Sequence, residues 1–274
     1  EHVIDLRGCT VIPGLVDTDL SCENSAELDN RLRGYMDTAV TTARCDRRPT
    51  EILEGFPQIL YSCPTVNSGT DLDRLYSKKL EVGGIKLGRK LVGVQNECEI
   101  RDICRRSAQR GLWVMAYAEG LGELQILTAC GITELLNTPD FQIPDAEITR
   151  MVTKGICITL STWNSAHITT VQRDNLRRFD GAGGMIALGS GRAKIPVSCD
   201  QIITLVKSGL SLQSAVRSAT FSGAVVVGTA QDEGTIMAGK YANLIVVLGN
   251  PRKEPSALGR THYIVRKGKV RQVS

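Results

Sequence analysis

Histidine is nearly missing from this chain: His2, His167 and His262 are the only three in 274 residues. Aromatic residues make up 4%, no pair among the cysteines has CxxC spacing, and neither sign of charge is concentrated. With few histidines and no paired thiols, a zinc knuckle is excluded. The 33 basic and 29 acidic residues are spread along the chain for a net charge of +4, which lacks the concentrated basic surface of a nucleic-acid-binding protein. No uninterrupted apolar run reaches the ~18 residues of a membrane span, and no charged stretch with an apolar core opens the chain. A cytoplasmic protein is expected, with neither nucleic acid nor membrane as a partner.

What is present is ordinary for a globular protein with a sizeable core: 42% hydrophobic and 23% charged residues. The nine cysteines are an odd number, and several stand inside apolar segments, where a thiol behaves as a small hydrophobe. Reduced thiols are expected rather than a disulfide framework. At 274 residues the chain suits one large domain, since α/β barrels run to about 200–250 residues, plus a small appendage.

Short β-rich runs alternate with longer amphipathic ones. The strand candidates are "TVIPGLVDTD", "AVTTARC", "QILYSC", "GGIKLG", "LWVMAYAE", "ITELLN", "ICITLST" and "MIALGSG", eight in all. Between them, "ECEIRDICRRSAQRG", "LGELQILTACG" and "DAEITRMVTKG" are helical in pattern and end in glycine, the stop expected of a helix returning to a parallel sheet. The connection "DRRPTEILEGFP" is expected to hold one short helix. This alternation predicts an α/β fold, a (β/α)8 TIM-like barrel over residues 11–230. Residues 1–10 and 231–274 read as a reduced β appendage built from both termini. An edge strand such as "NLIVV" needs a partner, which a homodimer would supply.

Two stretches carry a family resemblance. Val3–Ser21, "VIDLRGCTVIPGLVDTDLS", resembles the opening of the barrel in the metal-dependent amidohydrolase superfamily, in its imidazolonepropionase and prolidase-like branch. Ser211–Pro251 resembles that superfamily's closing segment, where a helix leads to a glycine-rich turn and a "GK.A.L.V" strand. The resemblance implies further strands before "VIDL", so either the appendage here is reduced or the sequence has been trimmed at its start. It also implies an H-x-H metal pair at the end of the first strand, where this chain has Asp19 and Ser21. The fourth-strand lysine of the family is kept as Lys86. The fifth- and sixth-strand histidines correspond to Tyr117 and Asn137, and the eighth-strand aspartate to Gly191. By this correspondence the histidine and aspartate ligands are lost, and neither a metal nor another cofactor is expected.

A barrel gathers its reactive groups at the C-terminal strand ends. Strand alternation puts Asp17, Asp19 and Ser21 on one face, with Met115, Tyr117 and Glu119 on another. The catalytic candidates are Lys86, Asp19, Tyr117 and Asn137. Lys86 is either half of a buried ion pair with Asp19 that fills the metal's place, or a base or amine nucleophile. Tyr117 is either core filler or a general acid, and Asn137 either a structural hydrogen-bonding residue or an oxyanion donor. Ser21, Arg44, Glu119, Trp163 and Arg192 are candidates for substrate binding, with Trp163 either a wall or a cap to the mouth. Arg44, Arg47, Arg89, Lys90, Arg192 and Lys194 would form a cationic rim favouring an anionic substrate. The strand-end cysteines Cys22, Cys45 and Cys63 read as packing. Three functions fit: a metal-independent acid–base enzyme of isomerase, cyclase or lyase type on a small organic substrate; a non-catalytic scaffold; and a C–N hydrolase with a rearranged metal site of Asp19, carbamylated Lys86 and Glu119.

Overall fold

The computed structural model describes residues 3–51, 57–61, 64–77, 83–161, 168–193 and 195–273. Of "DRRPTEILEGFP", where a short helix is expected, residues 52–56 lie outside this set, as do Cys63, Trp163, Lys194, His2 and His167.

The opening apolar run, expected as one strand, is two. β1 (Cys9–Pro13) stops at proline, the chain turns at Gly14, and β2 (Leu15–Leu20) sets off into a different sheet. A Cβ on Gly14 would lie 2.4 Å from the Thr41 side chain, so this corner has room only for glycine. There follow α1 (Ser25–Tyr35), β3 (Val40–Cys45), β4 (Gln58–Tyr61), β5 (Thr65–Val66), α2 (Gly69–Ser77), β6 (Gly84–Leu87), α3 (Glu97–Ala108), β7 (Trp113–Ala116), α4 (Leu121–Cys130), β8 (Glu134–Leu135), α5 (Asp145–Thr153), β9 (Cys157–Leu160), α6 (Thr170–Gly181) and β10 (Met185–Leu188). Helices α7 (Cys199–Lys207), α8 (Leu212–Ala219) and α9 (Phe221–Val226) lead to β11 (Leu244–Leu248), β12 (Thr261–Arg266) and β13 (Lys269–Gln272).

The parallel strands lie in two sheets, β2-β3-β4 and β10-β9-β8-β7-β6-β5. The expected third strand, "QILYSC", yields β4, which pairs with β3; β5, which follows it in the chain, pairs instead with β6. At the other end a single parallel bridge, Leu20 to Gly191, brings β2 beside the end of β10. The strands thus follow a barrel-like ring without one continuous closed sheet among the described residues. Where β2 meets β10, Ser21 N–H donates to Gly191 O at 3.0 Å and Gly191 N–H to Asp19 O at 2.5 Å. Arg31 of α1 clasps the same seam, donating to Ser21 O (2.8 Å), Gly191 O (3.0 Å) and Ser190 Oγ (3.0 Å).

The antiparallel sheet β1-β11-β12-β13 draws on both termini. Arg266 of β12 ties it to the parallel strands by donating to the carbonyls of Tyr35, Met36, Thr38 and Val40 just after α1. A second staple is buried Glu233, which accepts from Thr42, Thr229 and Asn243 at 2.7–2.8 Å. The eight cysteines among the described residues are free, and burial pushes the Cys104 and Cys199 thiols up to about 12, too high for reactivity at neutral pH.

Gly191 has φ +55, and a Cβ there would fall 1.6 Å from Ser161 O. Gly191→Ala is expected to destabilise the protein by ~3 kcal/mol or more, because both the backbone conformation and the contact must give. Urea unfolding of the variant checks this, and a loss below about 1 kcal/mol would contradict the tight seam.

Candidate functional site

The mouth is shaped by an irregularity in β2. Asp17 pairs with Ala43 and Leu20 with Cys45, so three residue steps on β2 oppose two on β3. A bulge of this kind re-aims side chains. The face shared by Asp17, Asp19 and Ser21, expected from simple alternation, is therefore broken. Asp17 turns to α1 and the end of β10, accepting from Tyr35 Oη at 2.5 Å and Ser190 N–H at 2.9 Å. Asp19 and Ser21 stay together and turn to β6.

There Lys86 Nζ donates to Asp19 Oδ1 and to Ser21 Oγ, both at 2.9 Å, while Ser21 Oγ donates to Asp19 Oδ1 at 3.0 Å. All three residues are buried. Burial alone would raise the Asp19 carboxyl, but the charge and hydrogen bond of Lys86, the Arg44 charge and the Ser21 hydroxyl hold it below the ordinary 3.8. Asp17 goes the other way: desolvation outweighs its hydrogen bonds and raises it. Asp19 Oδ2 is buried and has no hydrogen-bond partner among the described residues.

Tyr117 is half-buried just beyond β7, with the Arg89 guanidinium 4.8 Å from its ring centre. Burial first, then the Asp19 charge, raises its phenol. It lines a cleft of about 380 Å³ with Arg89, Glu119, Asn137, Thr138, Asp140 and Gln172. Asn137 does not point a free amide at this cleft: its Oδ1 accepts from Ala118 N–H at 3.1 Å and its Nδ2 donates to Ala118 O at 2.9 Å. Ser161 donates to Leu136 O. A more apolar pocket of about 410 Å³ lies between β4 and the β12–β13 hairpin. It contains none of the strand-end groups, and two of its cations, Arg266 and Arg271, donate to the Met36 carbonyl.

The expected cationic rim is largely spent elsewhere. Arg44 is 3% exposed and points into the interior, its Nη2 donating to Glu134 Oε1 and Oε2 at 2.7 and 2.8 Å. It is a core residue rather than a substrate ligand at the mouth, because Thr42 and Arg44 of β3 face inward together, to Glu233 and Glu134. Arg47 donates to Cys22 O, and Arg89 pairs with Glu119. Glu119 is thereby drawn outward, away from Met115, which is buried. Arg192 stays exposed with Glu23 3.8 Å away. Trp163 lies outside the described residues. The partners missed from the sequence are Glu134, Arg31, Tyr35 and Ser190; the one signal was a lone carboxylate inside the apolar run "ITELLN".

Residues 94–273, about two thirds of the chain, match the amidohydrolase family. The chain belongs to that family. As an amidohydrolase it shares its fold with proteins of low identity. A Xaa-Pro dipeptidase with methionine bound in its active site is 18% identical, the alignment covering 98% of this chain and 88% of that one at a TM-score of 0.76. A putative prolidase from Bifidobacterium longum is 20% identical, with 98% and 83% covered and a TM-score of 0.73. An adenosine deaminase from Xanthomonas campestris with bound zinc is 12% identical, with 97% and 81% covered and a TM-score of 0.68. No curated protein matches.

The amidohydrolase resemblance implies a divalent metal, but the donors at this mouth do not fit one. A catalytic zinc takes about three N, O or S ligands and an open position. Among the described residues no three His, Cys, Asp or Glu come close enough to hold a metal. Asp19 has one oxygen already engaged by the Lys86 ammonium, and Asp46, the next carboxylate near that ammonium, has one taken by the Cys22 N–H. Gly191 has no room for a side chain.

The stabilisation that Asp19 draws from Lys86 is present above the carboxyl's ordinary 3.8 and is lost as pH falls through the lowered value it has in the folded protein. Asp19→Asn should cost ~3 kcal/mol at pH 7, leaving Lys86 buried without its counter-charge, and clearly less at pH 3. Urea unfolding at the two pH values checks this; an equal loss at both would show that the pair is not ionic.

Proposed function

We propose that this member of the amidohydrolase family is an enzyme that works without a metal centre, an acid–base catalyst of isomerase, cyclase or lyase type acting on a small organic molecule. The observation that carries the reading is the Lys86 ammonium held between Asp19 Oδ1 and Ser21 Oγ, with Asp19 Oδ2 buried and unpartnered among the described residues. A carboxylate oxygen in that state costs about 1–3 kcal/mol, and a donor on a substrate would recover it. Asp19 is the base: held ionised, it takes a proton from a substrate carbon or hydroxyl. Negative charge then develops on the neighbouring substrate oxygen, and the Lys86 ammonium stabilises it. Tyr117, whose raised phenol keeps its proton at neutral pH, gives that proton to the product; solvent then reprotonates the phenolate and takes the proton left on Asp19. Of these groups Tyr117 is the one that lines the cleft, which is where the substrate would enter. With Arg44 and Arg89 engaged by carboxylates, little supports an anionic substrate in particular.

The metal-dependent hydrolase reading has less behind it, since Glu119, its third ligand, is exposed and paired with Arg89. A non-catalytic scaffold draws support from Asn137, whose amide is engaged with Ala118.

A thermal-shift screen of small ketones, lactams and hydroxy acids, followed by product analysis, would identify the substrate. With it in hand, Lys86→Ala and Tyr117→Phe are each expected to lower turnover by ~10²-fold or more. Unchanged rates in both variants, or activity that depends on a stoichiometric metal, would overturn the proposal.

A further inference from the structure

Four charged side chains of alternating sign are buried in the interior: Glu134 from β8, Arg44 from β3, Asp19 from β2 and Lys86 from β6, exposed by 0, 3, 3 and 8%. Glu134 carries the acceptor pattern of a carboxylate, both oxygens receiving Arg44 Nη2 and Oε1 also receiving Thr159 Oγ1 at 2.6 Å. Arg44 Nε donates to Thr18 O at 2.5 Å, the carbonyl of the peptide that leads into Asp19. Arg44 therefore grips the backbone beside Asp19 while its charge acts on two buried carboxylates, Glu134 and Asp19. Either ion pair alone would be an expensive insertion into a hydrophobic interior.

We propose that Arg44 is a positioning residue of the site, and that Glu134, Arg44, Asp19 and Lys86 act as one electrically neutral column in which Arg44 fixes the place and charge of Asp19. Its consequence for catalysis rests on the acid–base reading above; the coupling itself does not, and needs no substrate to measure.

Charge balance sets the result expected. Arg44→Met leaves the column with one excess negative charge and Asp19→Asn with one excess positive charge, while the double variant is neutral again. Measured by urea unfolding, Asp19→Asn should lower the folding equilibrium constant by ~10²-fold or more in the otherwise unaltered chain, and by about tenfold less than that in the Arg44→Met background. Arg44→Lys, which keeps the charge without the planar fork, should preserve most of the wild-type response to Asp19→Asn. A role limited to filling space would make Arg44→Lys and Arg44→Met alike and the two losses additive, and either result would overturn the proposal. Should Arg44→Met alone fail to fold, recovery of folded protein in the Arg44→Met/Asp19→Asn double variant is the expected rescue. Failure of that rescue refutes the column.

Discussion

The site depends on one extra residue in β2. A regular strand would set Asp17 and Asp19 side by side on a single face, two buried carboxylates with one lysine between them. The slip between Asp17 and Leu20 sends them to different company: Asp17 to the Tyr35 hydroxyl and the Ser190 amide, Asp19 to Lys86 and Ser21. Burial then acts on each in its own surroundings, and the two carboxyls, two residues apart, are shifted in opposite directions. The two neighbouring carboxyls therefore hold a proton with unequal strength, for reasons of company rather than of residue type.

The same slip joins the site to the architecture. Asp19 O and Ser21 N–H make the hydrogen bonds that hold β2 against Gly191, so the residue that meets Lys86 through its side chain also helps seat the last parallel strand through its backbone. Arg31 reinforces this from α1. Geometry at the mouth and integrity of the ring are therefore not separable at this corner.

Much of this could be read from the chain. Alternating short β-rich runs and glycine-terminated helices are local signals, and they appear as elements: α4 ends at Gly131 with φ 92, as a helix turning back to a parallel sheet requires. The Asp19–Lys86 pairing followed from two strand ends that a family resemblance places opposite each other. What could not be read was the register. Nothing in "LVDTDL" marks a slipped strand, because the slip is set by pairing with β3, a partner some 25 residues away. Arg44 was misplaced for a related reason: near a strand end an arginine looks like part of a rim, and only the carboxylate of Glu134 across the interior turns it inward. Asn137 sits at an expected strand end, yet backbone groups of Ala118, invisible to a reading of side chains, claim its amide.

Gly191 bears on how this chain can change over generations. At the position that the resemblance assigns to a metal-binding aspartate, the Ser161 carbonyl occupies the space of a β-carbon. A codon change there would supply the carboxylate but not the room for it. Acquiring a ligand at this position therefore asks more than one substitution: the Ser161 carbonyl would have to move as well.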